Sequence, residues 1–296
     1  MQFSRRDFVK WLGVSSGIML LYNSTNTAKV SANSTSSTPD ADEKAMLVDV
    51  SKCIGCWWCY AACKNYNNLK ETTRPDPEDP PELTPDCWTT LSTLEKDGEW
   101  SFMKRACMHC SDAACVEVCS AGALSYHPDG FVAYDPQKCI GCGYCSEHCP
   151  FDIPRLSGSS VTGIQKMQKC NFCQDRVSAG LLPACAEACP TGALTFGNRA
   201  ELLTEGKNRV NELKKEYPNA ILYGENELEG LHVLYVLTDS PEVYGLPEAP
   251  QFPLAAMIGN NILSPVARIL WPVVGAGLAL NFVVAWFRQR KQGEVH

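Results

Sequence analysis

The stretch Cys139-Ile140-Gly141-Cys142-Gly143-Tyr144-Cys145-Ser146-Glu147-His148-Cys149-Pro150 decides how the rest of the chain is read. Its spacing is C-x2-C-x2-C-x3-C followed by proline. Three cysteines two residues apart let a tight loop wrap three corners of an iron–sulfur cubane while its backbone N–H groups point at the sulfurs. The fourth cysteine of such a run reaches across to a neighbouring cluster, so two runs hold two clusters jointly. One run therefore implies a second.

Sixteen of the 17 cysteines fall into four runs of four. Run one is Cys53, Cys56, Cys59 and Cys63, with the same spacing as run three, which is Cys139, Cys142, Cys145 and Cys149. Run two is Cys107, Cys110, Cys115 and Cys119; run four is Cys170, Cys173, Cys185 and Cys189. Four complete runs imply four 4Fe–4S clusters with all sixteen cysteines as ligands. Zinc is the competing reading, but a zinc site needs only two C-x2-C pairs. A disulfide scaffold is the other, yet cysteines two apart seldom pair and a domain of this size needs no such framework. Cys87, beside Trp88 and outside the runs, reads as a structural thiol. His109, inside run two, is placed to donate to a cluster sulfur or to face solvent. Lys104, Arg105, Lys166, Lys169 and Arg176 flank the runs and either offset cluster charge or form a solvated surface.

The segments after the runs fix the expected pairing. Ser120-Ala121-Gly122-Ala123-Leu124-Ser125-Tyr126 after run two matches Pro190-Thr191-Gly192-Ala193-Leu194-Thr195-Phe196 after run four, so these runs hold equivalent places in a repeat. Runs two and three are separated by only the 19 residues Ser120 to Lys138, which suit a strand-turn-strand. They form one ferredoxin-like unit inserted inside the other. The expected ligand sets are Cys53, Cys56, Cys59 with Cys189; Cys170, Cys173, Cys185 with Cys63; Cys107, Cys110, Cys115 with Cys149; and Cys139, Cys142, Cys145 with Cys119.

The flanks speak to location. Ser4-Arg5-Arg6-Asp7-Phe8-Val9-Lys10 before a short apolar stretch from Trp11 to Leu21 is a twin-arginine export signal, with Val30-Ser31-Ala32 as a cleavage site. Near the other end, Ile269 to Phe287 is an uncharged run of 19 residues that spans about 29 Å as a helix, the thickness of a hydrocarbon core. Arg288, Arg290 and Lys291 follow it, which puts the C-terminus in the cytoplasm and the cysteine domain outside. A buried core helix is the alternative, favoured by Pro272 and Asn281. The net charge of −7 gives no nucleic-acid footprint. Neither a G-x-G-x-x-G dinucleotide fingerprint nor a molybdopterin motif is present to supply catalysis.

The expected class is α+β: two bacterial-ferredoxin-like units, one inserted in the other, each binding two clusters, plus a C-terminal transmembrane helix. The segments are a signal peptide at 1–32, a linker at 33–45, and the first half of the outer unit at 46–106. The inserted unit follows at 107–156 and the second half of the outer unit at 157–200. A capping helix and strands occupy 201–254, and the anchor 255–296. In the capping segment, Leu203, Gly206, Val210, Leu213 and Tyr217 share a helical face, and His232 to Leu237 reads as a strand.

The strings Cys107-Met108-His109-Cys110-Ser111-Asp112, Cys139-Ile140-Gly141-Cys142-Gly143-Tyr144-Cys145, Cys149-Pro150-Phe151-Asp152-Ile153-Pro154-Arg155-Leu156 and Cys189-Pro190-Thr191-Gly192-Ala193 resemble the iron–sulfur subunits of the molybdopterin oxidoreductase (DMSO reductase) superfamily. Within it the likeness is to the β subunits of membrane-bound formate dehydrogenases, from about Met46 to the C-terminal helix, including Gly230 to Leu237 and Tyr244 to Glu248. The resemblance implies a non-catalytic wire, passing electrons from a catalytic subunit to an integral membrane acceptor. It implies the same cross-ligation as the repeat argument. One feature departs from it: such β subunits normally leave the export signal to a partner, whereas this chain carries its own, as hydrogenase-linked relatives do. A nickel–iron hydrogenase partner therefore stands beside a molybdopterin formate dehydrogenase.

Overall fold

The computed structural model describes residues 43–70, 75–96, 98–159, 164–253 and 264–293. The expected signal peptide, its cleavage site and nearly all of the linker lie outside these residues. Two units separate, one built on residues 37–256 and the other including 257–296.

In the larger unit the elements run β1 (Lys44–Asp49), α1 (Trp58–Tyr66), β2 (Thr90–Lys96), β3 (Glu99–Arg105), α2 (Ala114–Glu117), β4 (Leu124–Tyr126) and β5 (Val132–Tyr134). They continue α3 (Tyr144–Glu147), β6 (Arg155–Ser159), β7 (Ile164–Gln168), α4 (Gln174–Ser178), α5 (Ala184–Glu187), β8 (Leu194–Asn198), α6 (Arg199–Leu213), β9 (Ile221–Tyr223) and β10 (Val233–Leu237). The content is mixed α and β, as the sequence leads one to expect.

Four strands form a sheet in the order β8-β1-β10-β9. β1 and β10 pair in parallel, from Met46 with Val233 to Asp49 with Val236, while β8 and β9 flank them antiparallel. Both central strands are buried on two faces, which suits their apolar sequences Ala-Met-Leu-Val and Val-Leu-Tyr-Val-Leu. On one face Met46, Val48, Val233, Tyr235 and Leu237 join the core that contains the cysteines. On the other, Ala45, Leu47, Leu234 and Val236 meet Leu202, Val210 and Leu213 of α6. Asn198 caps α6, its side-chain oxygen accepting from the N–H groups of Ala200 and Glu201 at 3.0 and 3.3 Å.

Two expectations shift here. Lys44 and Ala45 begin the first strand rather than ending a linker. The strand in the expected capping segment is central to the sheet, hydrogen-bonded to β1 across nearly the whole cysteine-bearing chain. A parallel partner needs a long crossover, and the intervening residues supply it.

The two halves of the repeat are visible as matching backbone contacts. β4 pairs with β5 so that Leu124 faces Tyr134, and the Asp135 N–H donates to the Ala123 carbonyl at 2.8 Å. β8 pairs with β1 so that Leu194 faces Val48, and the Asp49 N–H donates to the Ala193 carbonyl at 2.8 Å. In each case the strand after one cysteine run lies beside the strand before another. Run two thus joins run three, and run four joins run one, through the same local geometry.

Tight turns make the cysteine loops. The residue just before the second cysteine has positive φ in every run: Gly55 (64°), His109 (49°), Gly141 (71°) and Phe172 (61°). At Gly141 a Cβ would stand 2.4 Å from the carbonyl oxygen of Gln165, a backbone atom that cannot swing away. Gly141→Ala should therefore cost about 1–3 kcal/mol in a denaturant titration, whereas Gly122→Ala, with open space at its Cβ, should cost less.

The second unit contains α7 (Ser264–Gly293), a 30-residue helix that includes the expected anchor. Its described apolar side chains are exposed, among them Leu270, Trp271, Val274, Leu278, Leu280, Phe282, Val283, Val284 and Trp286. Among the described residues no helix is long and apolar enough to cross a membrane.

Candidate cluster sites

All 17 cysteines are free of disulfides. Sixteen gather in quartets, each drawing on two runs. Cys53, Cys56, Cys59 and Cys189 line one cavity, closed by Val48, Leu91, Leu194 and Lys104. Cys63, Cys170, Cys173 and Cys185 line a second, with Met46, Val233 and again Lys104 in its wall. Cys119, Cys139, Cys142 and Cys145 line a third, walled by Leu124, Tyr134, Leu156 and Met167. In the fourth quartet, Cys110 lies within electrostatic reach of Cys107, Cys115 and Cys149. Among the described residues no three His, Cys, Asp or Glu side chains meet closely enough to hold a single metal ion.

Local structure explains the exchange between runs. Cys59 and Cys63 lie one turn apart on α1, so the helix carries the second sulfur about 6 Å farther along its axis. Cys59 therefore lines the first cavity and Cys63 the second. Short helices do the same elsewhere, with Cys115 on α2, Cys145 on α3 and Cys185 on α5.

The left-handed turns aim backbone donors at sulfur. The N–H groups of Gly55, His109 and Gly141 turn back on the sulfurs of Cys53, Cys107 and Cys139 respectively. The Met167 N–H adds a contact to the Cys139 sulfur at 3.4 Å. Asn67 holds the end of run one, its Nδ2 donating to the Cys63 carbonyl at 2.9 Å and lying 3.7 Å from its sulfur.

Burial and crowding disfavour the thiolate at several quartet positions, whereas Cys139 is held below the usual thiol range, the N–H groups of Met167 and Gly141, Tyr134 and Lys166 outweighing its burial. Cys59 and Cys173 are pushed up to about 12, and Cys145 and Cys149 to about 11, burial being the main cause and neighbouring cysteines adding to it. Four thiolates cannot share such a cavity without positive charge inside it. The donor set, the cavity and the inward N–H groups together fit a 4Fe–4S cluster, whose iron supplies that charge.

The flanking residues divide. Lys104 and Lys169 are buried at 3% and 2% exposure. The Lys169 ammonium donates to the carbonyls of Val132 and Cys170 at 3.3 and 2.9 Å. Lys166 donates to the Cys139 carbonyl at 2.5 Å. Arg176 instead bonds Glu187 at 2.6 Å near the surface. His109 is fully buried against Phe172 and Phe131, with ring centroids 4.5 and 5.9 Å away, so it does not face solvent. Cys87 stays apart from the quartets, its thiol donating to the Thr89 carbonyl at 3.4 Å.

A 4Fe–4S dicluster domain family matches residues 98–199. The iron–sulfur subunit of the nitrate-inducible formate dehydrogenase of Escherichia coli K12 is 39% identical over 253 residues, covering 81% of this chain and 85% of that one. This chain belongs to the family of formate dehydrogenase iron–sulfur subunits. Within the family, the Haemophilus influenzae formate dehydrogenase iron–sulfur subunit is also 39% identical, over 80% of this chain and 78% of that one. The hydrogenase-2 operon protein HybA of Escherichia coli O157:H7 is 32% identical over 80% of this chain and 81% of its own length. Membership makes the chain an electron-transfer subunit rather than a catalytic one.

Proposed function

We propose that this chain is the four-cluster wire of a membrane-bound, outward-facing oxidoreductase complex, relaying electrons between a formate dehydrogenase-like molybdopterin subunit and an integral membrane acceptor. The observation that carries this reading is the exchange of cysteines between runs, three from one and one from another in each quartet. The ligand sets are Cys53, Cys56, Cys59 and Cys189; Cys63, Cys170, Cys173 and Cys185; Cys107, Cys110, Cys115 and Cys149; and Cys119, Cys139, Cys142 and Cys145. When bound, a 4Fe–4S cluster supplies one reversible one-electron step.

The chain's own residues make a row of these sets. Lys104 stands in the wall between the first two cavities. Cys107, from the third set, also lines the second cavity. Cys115 of the third set lies within electrostatic reach of Cys145 of the fourth. Exposed Ile54 and Trp58 flank one end of the row, and exposed Ile140 and Tyr144 the other. Apolar side chains there exclude water where a partner's cofactor would approach.

The membrane reading rests on α7, whose exposed apolar side chains and 19-residue uncharged run suit a lipid anchor. Arg288, Arg290 and Lys291 then favour a cytoplasmic C-terminus. A nickel–iron hydrogenase partner is the second reading, favoured by the chain's own twin-arginine motif and by the likeness to the hydrogenase-2 operon protein. The deciding experiment is purification of the complex from detergent-solubilised membranes, with identification of its subunits and spin quantitation of its clusters. Four clusters and a molybdopterin subunit are the expected result; a partner with a nickel–iron centre would select the second reading, and fewer than four clusters would refute the four-cluster assignment.

Export is tested separately. Changing Arg5 and Arg6 together to Lys should leave brown, cluster-loaded protein in the cytoplasm, because the export signal alone is impaired. Fractionation showing normal export of the double variant would remove the export route from the proposal.

A further inference from the structure

A buried ammonium without a counter-ion is strongly disfavoured by the loss of its hydration. Lys104 is such a group. It lies at 3% exposure on β3, held in register opposite Leu91 of β2 and by the Tyr235 hydroxyl, which donates to its backbone carbonyl at 3.0 Å. Its electrostatic neighbours are Cys185, Cys170, Cys59 and the Tyr235 hydroxyl, with no carboxylate among them. The other buried lysines differ. Lys64 donates to the carbonyls of Lys70 and Asp86, both at 2.8 Å, and Lys169 to those of Val132 and Cys170.

Instead, Lys104 faces cysteines. It is the one residue that lines both the cavity of Cys53, Cys56, Cys59 and Cys189 and that of Cys63, Cys170, Cys173 and Cys185. Its ammonium lies within electrostatic reach of Cys185, Cys170 and Cys59. The acidic groups that neutralise it are therefore the two thiolate sets.

We propose that Lys104 is a shared counter-charge that raises the reduction potentials of the two clusters bound by the outer ferredoxin-like unit and keeps them close to each other. This rests on the cluster reading above. One electron entering either cluster adds one negative charge, with no bond made or broken, and a fixed cation in the cavity wall stabilises the reduced form. Because the same cation faces both cavities, it shifts both potentials in one direction. The inserted unit's clusters feel it less, because the cation acting on Cys107 and Cys115 is Lys169 and that acting on Cys139 is Lys166.

The test is a redox titration followed by electron paramagnetic resonance on the intact complex, comparing wild type, Lys104→Met and Lys104→Arg. Two of the four midpoints should move to lower potential in Lys104→Met, the other two staying in place, and Lys104→Arg should restore them. Should Lys104→Met instead lose clusters, loss confined to the two outer-unit sites and reversed in Lys104→Arg supports the same role. Four unmoved midpoints would overturn it, as would loss of all four clusters or equal effects of Met and Arg. A wild-type protein without iron–sulfur signals would instead remove the cluster reading itself, a distinguishable failure.

Discussion

Replacing Cys63 by Ser should abolish or convert the cluster bound by Cys170, Cys173 and Cys185, and leave intact the one bound by Cys53, Cys56 and Cys59. The result runs against sequence proximity, since Cys63 is only four residues from Cys59 and more than a hundred from Cys170. The reason is the helix. α1 holds Cys59 and Cys63 one turn apart, and that step carries the second sulfur out of the first cavity into the next. Iron content should fall by up to about a quarter, one cluster in four. Cys189→Ser is the complementary variant. Cys189 sits beside Cys53 in the first cavity, so its loss should affect that cluster while the partners of its own run, Cys170, Cys173 and Cys185, keep theirs. Resonance spectra should thus show Cys63→Ser matching Cys173→Ser, and Cys189→Ser matching Cys56→Ser. If Cys63→Ser matched Cys56→Ser, the exchange between runs would be wrong.

The parts of this arrangement that the sequence discloses are those set by local spacing. Three cysteines at intervals of three fix a loop, and the likeness between Ala123-Leu124 and Ala193-Leu194 exposes the repeat because each segment occupies the same place beside a strand. The face of α6 is legible for the same reason, its apolar residues recurring at helical intervals; the deepest is Leu202, with Leu203 only partly buried. Long-range placement is not legible. That β10 lies parallel to β1 depends on closing a loop across the whole cluster region, and no local pattern marks it. The left-handed conformations at His109 and Phe172 are hidden because neither is the glycine that marks the same turn in the other two runs; their equivalence to Gly55 and Gly141 appears only when the runs are aligned by their cysteines. Lys104 reads as one of several basic residues near the runs. What distinguishes it from Arg176 is the β2–β3 hairpin, which turns one inward and has no hold on the other.

Deleting the chain after Pro265 should release the cluster-bearing unit from membranes with its iron retained. Cluster binding and the proposed anchoring fall to separate units, all sixteen quartet cysteines lying within 37–256 and α7 lying outside it. Exposed apolar side chains on α7 are not confined to one stripe. Leu270, Val274 and Leu278 follow one another at intervals of four, whereas Leu280, Val283 and Val284 fall on other sides of the helix. A helix that packs one face on a protein core shows polar residues opposite that face. A helix that is apolar all round needs a surrounding of lipid or of other apolar helices, and an uncharged stretch of 19 residues matches the depth of a bilayer. The truncated chain should therefore appear in the soluble fraction with the same iron-to-protein ratio as wild type. Persistence in washed membranes when partner subunits are absent would show that α7 is not the anchor; release accompanied by loss of iron would show that the cluster unit depends on the tail for its fold.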